Sequence, residues 1–396
     1  MCISFFTLSQ PGYKLILASN RDEFLARPTL PAAWHTFSFS SASPATPVDG
    51  HDESETQGWV LSGLDRGKAE GGTWLGITRD HRVGLLTNVR LTPPTPPVAP
   101  SPNPPSRGLL LKDFLSPPPP PFASASPSSS STSLPSVHEY LSSHYESAGE
   151  YEGFNLLLFS LGGDKAEVGY LTNRPVPCLT DLRIPTSRPA EPDQSLGAGA
   201  KSTTETGITV DGALDRLTAS FGQQAEGGTT ALDTSSLDEK HRIPAECFGI
   251  SNSPMSEPWP KVQQGEKRMV DTLLAWEEKG EGDEELVERM FALLGQSCAI
   301  KSEEDMKSST TIPLIKLPAR AVTTLPTASA DAAKPRYYGT RTSTIIIIKD
   351  SGETMFVERD ILWLDESGEP AGMFEGDDGE RPKDRCFEFT ACTAAE

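Results

Sequence analysis

Cysteine, net positive charge and long apolar runs are all scarce in this chain of 396 residues. Its six cysteines are widely spread, with Cys386 and Cys392 the closest pair, which argues against a disulfide framework and favours a reducing compartment. No Cys-x-x-Cys motif occurs and the six histidines are scattered, so we predict no metal site. Lysine and arginine total 35 against 55 acidic residues, a net charge of −20, which argues against a general binder of nucleic acid or anionic membranes.

The apolar runs are too short to span a membrane. One of these runs, the four isoleucines Ile345–Ile348, predicts a fully buried strand. The apolar segments 3–8 and 13–18 are separated by Gln10-Pro11-Gly12 and have no basic segment before them, so they predict a β-hairpin and not a signal peptide. No Asn-x-Ser/Thr glycosylation acceptor occurs. We therefore expect a soluble cytoplasmic protein without a transmembrane segment.

Three stretches have the composition of insertions that cannot supply a packed core. Residues 35–57 are rich in Ser, Pro, Thr and acid, residues 92–136 contain proline and serine runs, and residues 185–243 hold few large apolar groups. A helix is predicted within the third stretch, near residues 213–221. Because the pieces between the insertions are too short to stand alone, we predict one domain over residues 1–396.

Strand signals outnumber helix signals and come in hairpin-spaced pairs, which predicts an α+β fold with mostly antiparallel sheets. The predicted strands cover residues 2–8, 13–19, 59–63, 73–78, 82–87, 154–161, 167–172, 248–251, 337–349, 354–358 and 386–390. The predicted helices cover residues 109–115, 137–147, 259–277 and 284–295. The helix at 259–277 has an apolar stripe that predicts core packing, formed by Val262, Met269, Val270, Leu273, Leu274 and Trp276. Glu70-Gly71-Gly72 predicts a turn that delivers Trp74 to the core.

The start of the chain carries the most distinctive chemistry. If Met1 is removed, Cys2 has both a thiol and an α-amine with a pKa of about 8, which can take the thiol proton at neutral pH. This is the minimum machinery of an N-terminal-nucleophile hydrolase, while the alternative is a cysteine that opens a buried strand as a small apolar residue. The segment Asn20-Arg21-Asp22-Glu23 is likewise either part of a functional site or a capped turn that ends before Pro28.

Short motifs follow one another from end to end of the chain, beginning with Met1-Cys2-Ile3 and Ala18-Ser19-Asn20-Arg21-Asp22-Glu23-Phe24, with Arg27-Pro28. The further motifs are Gly63-Leu64-Asp65, Glu70-Gly71-Gly72-Thr73-Trp74-Leu75-Gly76, Leu86-Thr87-Asn88, Gly153-Phe154-Asn155-Leu156, Leu171-Thr172-Asn173-Arg174, Gly249-Ile250-Ser251-Asn252 and Tyr338-Gly339-Thr340-Arg341-Thr342. Together they resemble the NRDE family, also called the transport and Golgi organization protein 2 family. What lies between them is mainly the three low-complexity stretches.

That family is similar in layout to N-terminal-nucleophile enzymes of the choloylglycine hydrolase and penicillin V acylase kind. The resemblance implies an N-terminal-nucleophile-hydrolase-like four-layer αββα sandwich with Cys2 at the end of a central strand. It also implies a catalytic set, which by order and context falls on Cys2, Arg21, Asp22, Asn88, Asn252 and Arg341. In those roles Asp22 holds the α-amine, Arg21 lowers the pKa of the thiol, and an asparagine amide faces a developing oxyanion. Arg341 clamps a substrate carboxylate or supports Asp22.

Two classes of function follow from the resemblance. The first is a part in protein secretion and Golgi organisation by a cytoplasmic, peripherally Golgi-associated protein, and a mitochondrial association is compatible with the same sequence. Such a protein would carry a small-molecule or lipid ligand, and the resemblance implies a haem or acyl-lipid ligand as a candidate. The alternative is an amidase in which Cys2 attacks an amide or N-acyl bond, with no cofactor.

Overall fold

The computed structural model describes nine stretches of the chain. These are residues 2–37, 58–68, 70–90, 104–117, 134–163, 165–182, 245–318, 336–372 and 383–391. The third predicted insertion and the helix predicted at 213–221 lie outside the described residues, as do most of the first two insertions. The second insertion was predicted over residues 92–136, but residues 104–117 within it are described and include a buried helix.

The described residues form sixteen strands, which we number in chain order. They are β1 Ile3–Thr7, β2 Tyr13–Phe24, β3 Thr29–His35, β4 Val60–Asp65, β5 Leu75–Thr78, β6 Arg82–Asn88, β7 Phe154–Ser160, β8 Glu167–Thr172, β9 Cys178–Leu182, β10 Cys247–Ile250, β11 Ile315–Leu317, β12 Arg336–Lys349, β13 Glu353–Asp360, β14 Leu362–Leu364, β15 Pro370–Gly372 and β16 Arg385–Thr390. The α-helices are α1 Gly108–Leu115, α2 Val137–Tyr145, α3 Pro260–Lys279 and α4 Asp283–Leu294, and short 3-10 helices cover Glu146–Glu150 and Asp305–Lys307.

Two seven-stranded sheets contain most of the strands. Sheet 1 has the order β10-β1-β2-β12-β13-β16, with β11 also paired to β12, and sheet 2 runs in the order β3-β4-β5-β6-β7-β8-β9. Each of these pairings is antiparallel. The predicted α+β class with mostly antiparallel sheets is therefore confirmed.

Local sequence explains the centre of sheet 1. The β1–β2 hairpin turns at Gly12, whose φ of +86° is a conformation that glycine adopts without steric cost. Ile345–Ile348 lies in β12 between β2 and β13, and all four side chains are buried because both faces of this strand are covered. The prediction of a fully buried strand is confirmed.

Three apolar clusters hold the layers together. One fills the space between the sheets, where Phe6 and Leu17 of sheet 1 meet Leu157 and Phe159 of sheet 2. A second joins the other face of sheet 1 to α3 and α4. A third joins the other face of sheet 2 to α1 and α2. Each sheet is thus buried on both faces.

Helix α3 lies unusually close to sheet 1. A Cβ atom at Gly265 would stand 2.0 Å from the Phe5 ring, so only glycine permits this approach. Val262, Met269, Leu273 and Trp276 of the predicted stripe are buried, which confirms its role as core. Leu274 is exposed, so its place in the stripe was wrong.

Several elements were not predicted from the sequence. Strand β3 includes Pro31 and ends at His35, the first residue of the first predicted insertion. Strands β9, β11, β14 and β15 are short and carry little apolar alternation of their own. Helix α2 ends at Tyr145, two residues earlier than predicted, and continues as a 3-10 helix. The short strands are stabilised by pairing with neighbouring strands, and the pattern of a single sequence does not reveal which strands will pair.

None of the described helices combines the length and the apolar character needed to cross a membrane.

One buried and one half-buried histidine predict sensitivity of the fold to acid. His81 is 0% exposed, its Nε2 lies 2.7 Å from the Thr354 hydroxyl, and its Nδ1 has no hydrogen-bond partner among the described residues. Burial lowers the pKa of His81 from 6.5 to about 4, and burial lowers the pKa of His35 similarly. Because the folded pKa is lowered, the unfolded chain binds more protons between these pH values, and stability falls as pH decreases from 6.5 to 4.

We predict that a His81→Asn variant loses less stability on acidification than the wild type. One pKa unit corresponds to about 1.4 kcal/mol, so His81 accounts for about 3 kcal/mol of acid destabilisation. Asparagine is chosen because His81 has a φ of +62°, a region that asparagine tolerates. Urea unfolding of both proteins at pH 7 and pH 4.5 measures the difference. Equal acid destabilisation of the two proteins would contradict the prediction.

Candidate active site at Cys2

Strand pairing brings four chain segments to one end of sheet 1. Cys2 precedes β1, whose Ile3 lies opposite Asn20 of β2, and Ser4 lies opposite Ile250 of β10. On the other side of β2, Asp22 lies opposite Thr340 of β12, next to a β-bulge. The motifs at Cys2, 20–23, 249–252 and 338–342 therefore meet at this end of the sheet.

The segment Asn20-Arg21-Asp22-Glu23 is strand and not a capped turn, because β2 continues to Phe24. The capped-turn alternative is wrong. Strand β12 pairs with the whole segment, and its buried polar side chains find partners of their own. The Asn20 amide donates to the carbonyl oxygens of Leu294 and Thr310, and the Thr340 hydroxyl donates to Asp22 Oδ1 at 2.5 Å.

Arg21 is buried between the two sheets. Only 5% of it is exposed, its Cζ lies 4.1 Å from the Trp74 ring centroid, and its Nη2 lies 3.5 Å from Asp65 Oδ2. Burial lowers the pKa of Arg21, and the charge of Asp65 opposes this effect. An arginine stacked on an aromatic ring beside one carboxylate is a fixed cation in a place of low polarity.

Asp65 joins two arginines at this point. Arg27 Nε donates to Asp65 Oδ2 at 2.8 Å, and the backbone N–H of Gly67 donates to Oδ1 at 2.8 Å. Burial acts to raise the pKa of Asp65, but the hydrogen bonds from Arg27 and Gly67 outweigh it, and the pKa is lowered. Asp65 therefore stays ionised and positions both guanidinium groups.

A polar cavity of about 180 Å³ opens beside these residues. Four of the six residues predicted for the site line it, namely Cys2, Arg21, Asp22 and Asn88. Its other lining residues are Glu23, Arg27, Asp65, Lys68, Gly71, Thr73, Trp74, Leu86, Pro105, Ser106, Arg107, Gly108 and Glu152. Asn252 and Arg341 do not line it.

The Cys2 thiol is half-buried at the cavity. Its Sγ lies 3.8 Å from the backbone oxygen of Asp22, and the Ser251 hydroxyl donates to the backbone oxygen of Cys2 at 2.7 Å. Burial raises the pKa of this thiol, the amino-terminal charge acts to lower it, the charge of Asp22 acts to raise it, and Arg21 acts to lower it. The ionisation of Cys2 therefore depends on the balance of charge around it.

The two predicted asparagines are in contact with each other. Asn88 ends β6, and its backbone oxygen accepts a hydrogen bond from Asn252 Nδ2 at 2.6 Å. Asn252 is buried, and its Oδ1 has no partner among the residues that the structure describes. Asn252 thus stands behind Asn88 and supports the cavity wall.

Arg341 lies at the β-bulge between β2 and β12. Its Nη1 donates to the backbone oxygen of Arg27 at 2.7 Å and to that of Phe24 at 3.4 Å. Burial and the nearby charge of Arg21 lower the pKa of Arg341 to about 10. These contacts tie down the turn after β2 that carries Arg27, the second arginine of the cavity.

Sequence reasoning missed several cavity residues. Trp74 packs against the core cluster between the sheets, as predicted, but it is only half-buried and also forms the surface on which Arg21 stacks. Gly72 has a φ of +143°, and a Cβ there would meet the Gly108 backbone at 2.9 Å, so α1 can begin next to it and bring Arg107 to the cavity. The Glu70-Gly71-Gly72 motif was the available signal for this approach. Asp65 and Arg27 belong to the sequence motifs, but they are 38 positions apart, so their ion pair could not be read from the sequence.

The described residues do not fit a metal or a haem at this site. Within the described ranges, no group of three or more His, Cys, Asp or Glu side chains is placed to hold a metal ion. The cavity is smaller than the about 300 Å³ at which pockets for drug-sized ligands begin, and it is lined largely by charged groups. Cys2 is the one residue in its lining of a type that commonly ligates haem iron.

Fold and cavity together define an α+β protein of antiparallel sheets with a charged pocket beside Cys2. The family model described as Transport and Golgi organisation 2 matches residues 1–362, and the chain belongs to that family. It is 26% identical to the bovine Transport and Golgi organization protein 2 homolog over 374 residues, covering 92% of this chain and 95% of the relative. The mouse Transport and Golgi organization 2 homolog is 27% identical over 389 residues, with 95% and 98% covered. The Drosophila melanogaster Transport and Golgi organization protein 2 is 31% identical over 194 residues, with 46% and 54% covered.

We predict that Asp65→Asn destabilises the protein by about 1–3 kcal/mol at pH 7, because two arginines lose their shared charged acceptor. The folded pKa of Asp65 is lowered, so its contribution is present above pH 3.8 and is lost as pH falls through the folded value. The difference between variant and wild type should therefore shrink at low pH. Urea unfolding measures it, with exposed Asp271→Asn on α3 as the control. Equal stability of Asp65→Asn and the control would contradict the prediction.

Proposed function

We propose that this chain acts in protein secretion and Golgi organisation, and that it does so by binding a ligand through an anionic group in the cavity beside Arg21. The description of its family supports the first part. The observation that supports the second is the loose hold on Arg21 among the cations of the cavity. The lining contains four cations and four carboxylates, namely Arg21, Arg27, Lys68, Arg107, Asp22, Glu23, Asp65 and Glu152. Arg27 and Arg107 form ion pairs at 2.8 and 3.2 Å, whereas Arg21 lies 3.5 Å from its carboxylate. The size and polarity of the cavity suit the head group of a lipid or a small acid more than an apolar chain.

Arg21 is the cation best suited to meet the ligand. Its contact with Asp65 is 3.5 Å, at the limit of a hydrogen bond, while Arg27 holds the same oxygen at 2.8 Å. A ligand carboxylate or phosphate can therefore take donors of Arg21 without breaking a short ion pair. Burial strengthens that interaction because the surroundings are less polar than water.

The proposal also includes the four-layer αββα architecture and the cytoplasmic, Golgi-associated location that the family resemblance implies. The three apolar clusters, from helices to sheet 1, from sheet 1 to sheet 2, and from sheet 2 to helices, are what a four-layer αββα sandwich of the N-terminal-nucleophile kind requires. The net charge of −20 suits a cytoplasmic protein that associates with the Golgi through a protein or ligand and not through bulk membrane charge.

A rescue experiment tests this function. In cultured cells depleted of their own member of the family, secretion of a luciferase reporter is measured after expression of this chain or of its variants. Arg21→Leu should need at least about tenfold more expression than wild type for equal rescue, because a lost charge-assisted hydrogen bond of about 1.5–3 kcal/mol weakens binding by that factor. Exposed Arg268→Leu is the matched control and should rescue like wild type.

Each outcome of the rescue bears on one part of the proposal. Failure of the wild-type chain to restore secretion, with normal expression, would contradict the secretory role. Full rescue by Arg21→Leu at the wild-type expression level would support the secretory role but contradict the part of the proposal in which ligand binding in the cavity is needed for it.

A second candidate function is hydrolysis of amide or N-acyl bonds, favoured by the position of Cys2 in the same cavity as Arg21, Asp22 and Asn88. After removal of Met1, the Cys2 proton moves to the α-amine and the thiolate attacks the carbonyl carbon. The C–N bond breaks as the amine returns the proton to the leaving nitrogen, and water then hydrolyses the thioester to a carboxylic acid. Asn88 lines the cavity and is the amide proposed to face the oxyanion, Asn252 supports Asn88 from behind, and Arg341 supports the turn that carries Arg27.

Two measurements on the purified protein test the hydrolase. Intact-mass spectrometry should show loss of Met1 and an unmodified amine. With fluorogenic N-acyl aminocoumarins of different chain length as probes, Cys2→Ala should lower hydrolysis by at least about a hundredfold. Cys298→Ala, which changes an exposed free thiol, should leave it unchanged. Retention of Met1, acetylation of the amine, or equal hydrolysis by Cys2→Ala would exclude this candidate.

A further inference from the structure

Lys261 is a buried lysine in a place that disfavours it. Only 1% of it is exposed, and it is the second residue of α3. The amino-terminal end of a helix carries partial positive charge, and a lysine is almost never fully buried unless its charge is balanced. A charge retained at such a position needs a specific reason.

The start of α3 lies over the Cys2 end of sheet 1. Val262 packs against Gly249 of β10, and Gly265 packs against Phe5 of β1. The other end of the helix reaches the opposite end of these strands, where Trp276 contacts Tyr13 at a centroid distance of 5.8 Å. Lys261 is therefore placed beneath the strand ends that carry Cys2.

Strand alternation puts Asp22 on the same face of sheet 1 as Lys261. Along β2, Ile16 and Ala18 belong to the cluster under the helices, while Leu15 and Leu17 belong to the cluster between the sheets. The pattern continues, since Asn20 donates to the end of α4 and Arg21 stacks on Trp74 of sheet 2. Asp22, two residues after Asn20, falls on the helix-packed face.

The pKa shifts of the neighbouring groups agree with this placement. Burial lowers the pKa of Lys261, and the charges of Asp22 and then of Cys2 oppose this effect. Tyr338 also faces Asp22, and its pKa is raised by burial and then by the Asp22 charge. Arg21 acts on Cys2 from the opposite face of the sheet.

We propose that Lys261 is a positioning residue that balances the Asp22 carboxylate from the helix-packed face of sheet 1 and thereby lets the Cys2 thiol ionise. Without Lys261, the negative charge of Asp22 acts on the thiol uncompensated and holds its proton. The inference deepens the hydrolase candidate and rests on it for its use, but the charge relation itself is measurable without any hydrolysis.

The test is the pH profile of Cys2 alkylation by iodoacetamide, read from the amino-terminal peptide by mass spectrometry in the folded, full-length protein. Lys261→Met should raise the midpoint by about one pH unit, so that alkylation below the midpoint is about tenfold slower. Lys261→Arg should stay near the wild type, and Asp22→Asn should lower the midpoint. The double variant Asp22→Asn/Lys261→Met should have a higher midpoint than Asp22→Asn alone, because the Lys261 charge also acts on Cys2 and the effects of the two charges add.

Lys307 supplies the control, since its Nζ lies 5.8 Å from the centroid of the same Trp259 ring as that of Lys261, and 15% of its side chain is exposed. Lys307→Met should leave the midpoint unchanged. An unchanged midpoint in folded Lys261→Met overturns the proposal. If Lys261→Met does not fold, the double variant is compared with Asp22→Asn, and equal midpoints of these two proteins overturn it. If the midpoint shifts but neither the wild type nor any variant hydrolyses amides, the hydrolase candidate is excluded and the role of Lys261 in Cys2 ionisation stands.

Discussion

The pairing of β2 with β12 is the interaction on which the rest of this structure depends. It runs from Tyr13 opposite Lys349 to Phe24 opposite Tyr338 along the middle of sheet 1. Its first part buries apolar side chains on both faces, and its second part extends the strand through a run of polar and charged residues. Because β12 satisfies the backbone hydrogen bonds of that run, its buried side chains make contacts of their own on both faces of the sheet.

The same pairing explains how the charges of the NRDE motif are separated. In a strand, neighbouring side chains leave on opposite faces, so Arg21 meets Trp74 and Asp65 of sheet 2, while Asp22, which also lines the cavity, lies on the same strand face as Asn20, whose amide donates to the end of α4. Adjacent opposite charges in the sequence are thus parted by the sheet and paired with other partners. The site therefore has two distinct environments. One contains the Cys2 thiol and Arg21, the cation proposed to meet the ligand, and the other contains the supporting Asp22 carboxylate.

The cavity is small and charged, and this limits the ligands it can hold. A large apolar macrocycle does not fit it, on volume and on the cost of burying charged groups against apolar surface. Carrier and hydrolase share this cavity and the same cation, and they differ in whether the Cys2 thiol reacts. The ionisation of that thiol is therefore the property that separates them.

The sequence by itself determined the α+β class, the family, the central strands and most of α3, because apolar periodicity and ordered motifs are local properties. It also identified four residues that line one cavity. It could not supply β3, β9 or the extension of β2, since these strands are held by partners and not by their own pattern. Trp74 under Arg21, Asp65 between two arginines, and Lys261 beneath Asp22 were decided by the tertiary structure alone. Each depends on residues distant in sequence that only the packing of two sheets and a helix brings within reach of one another.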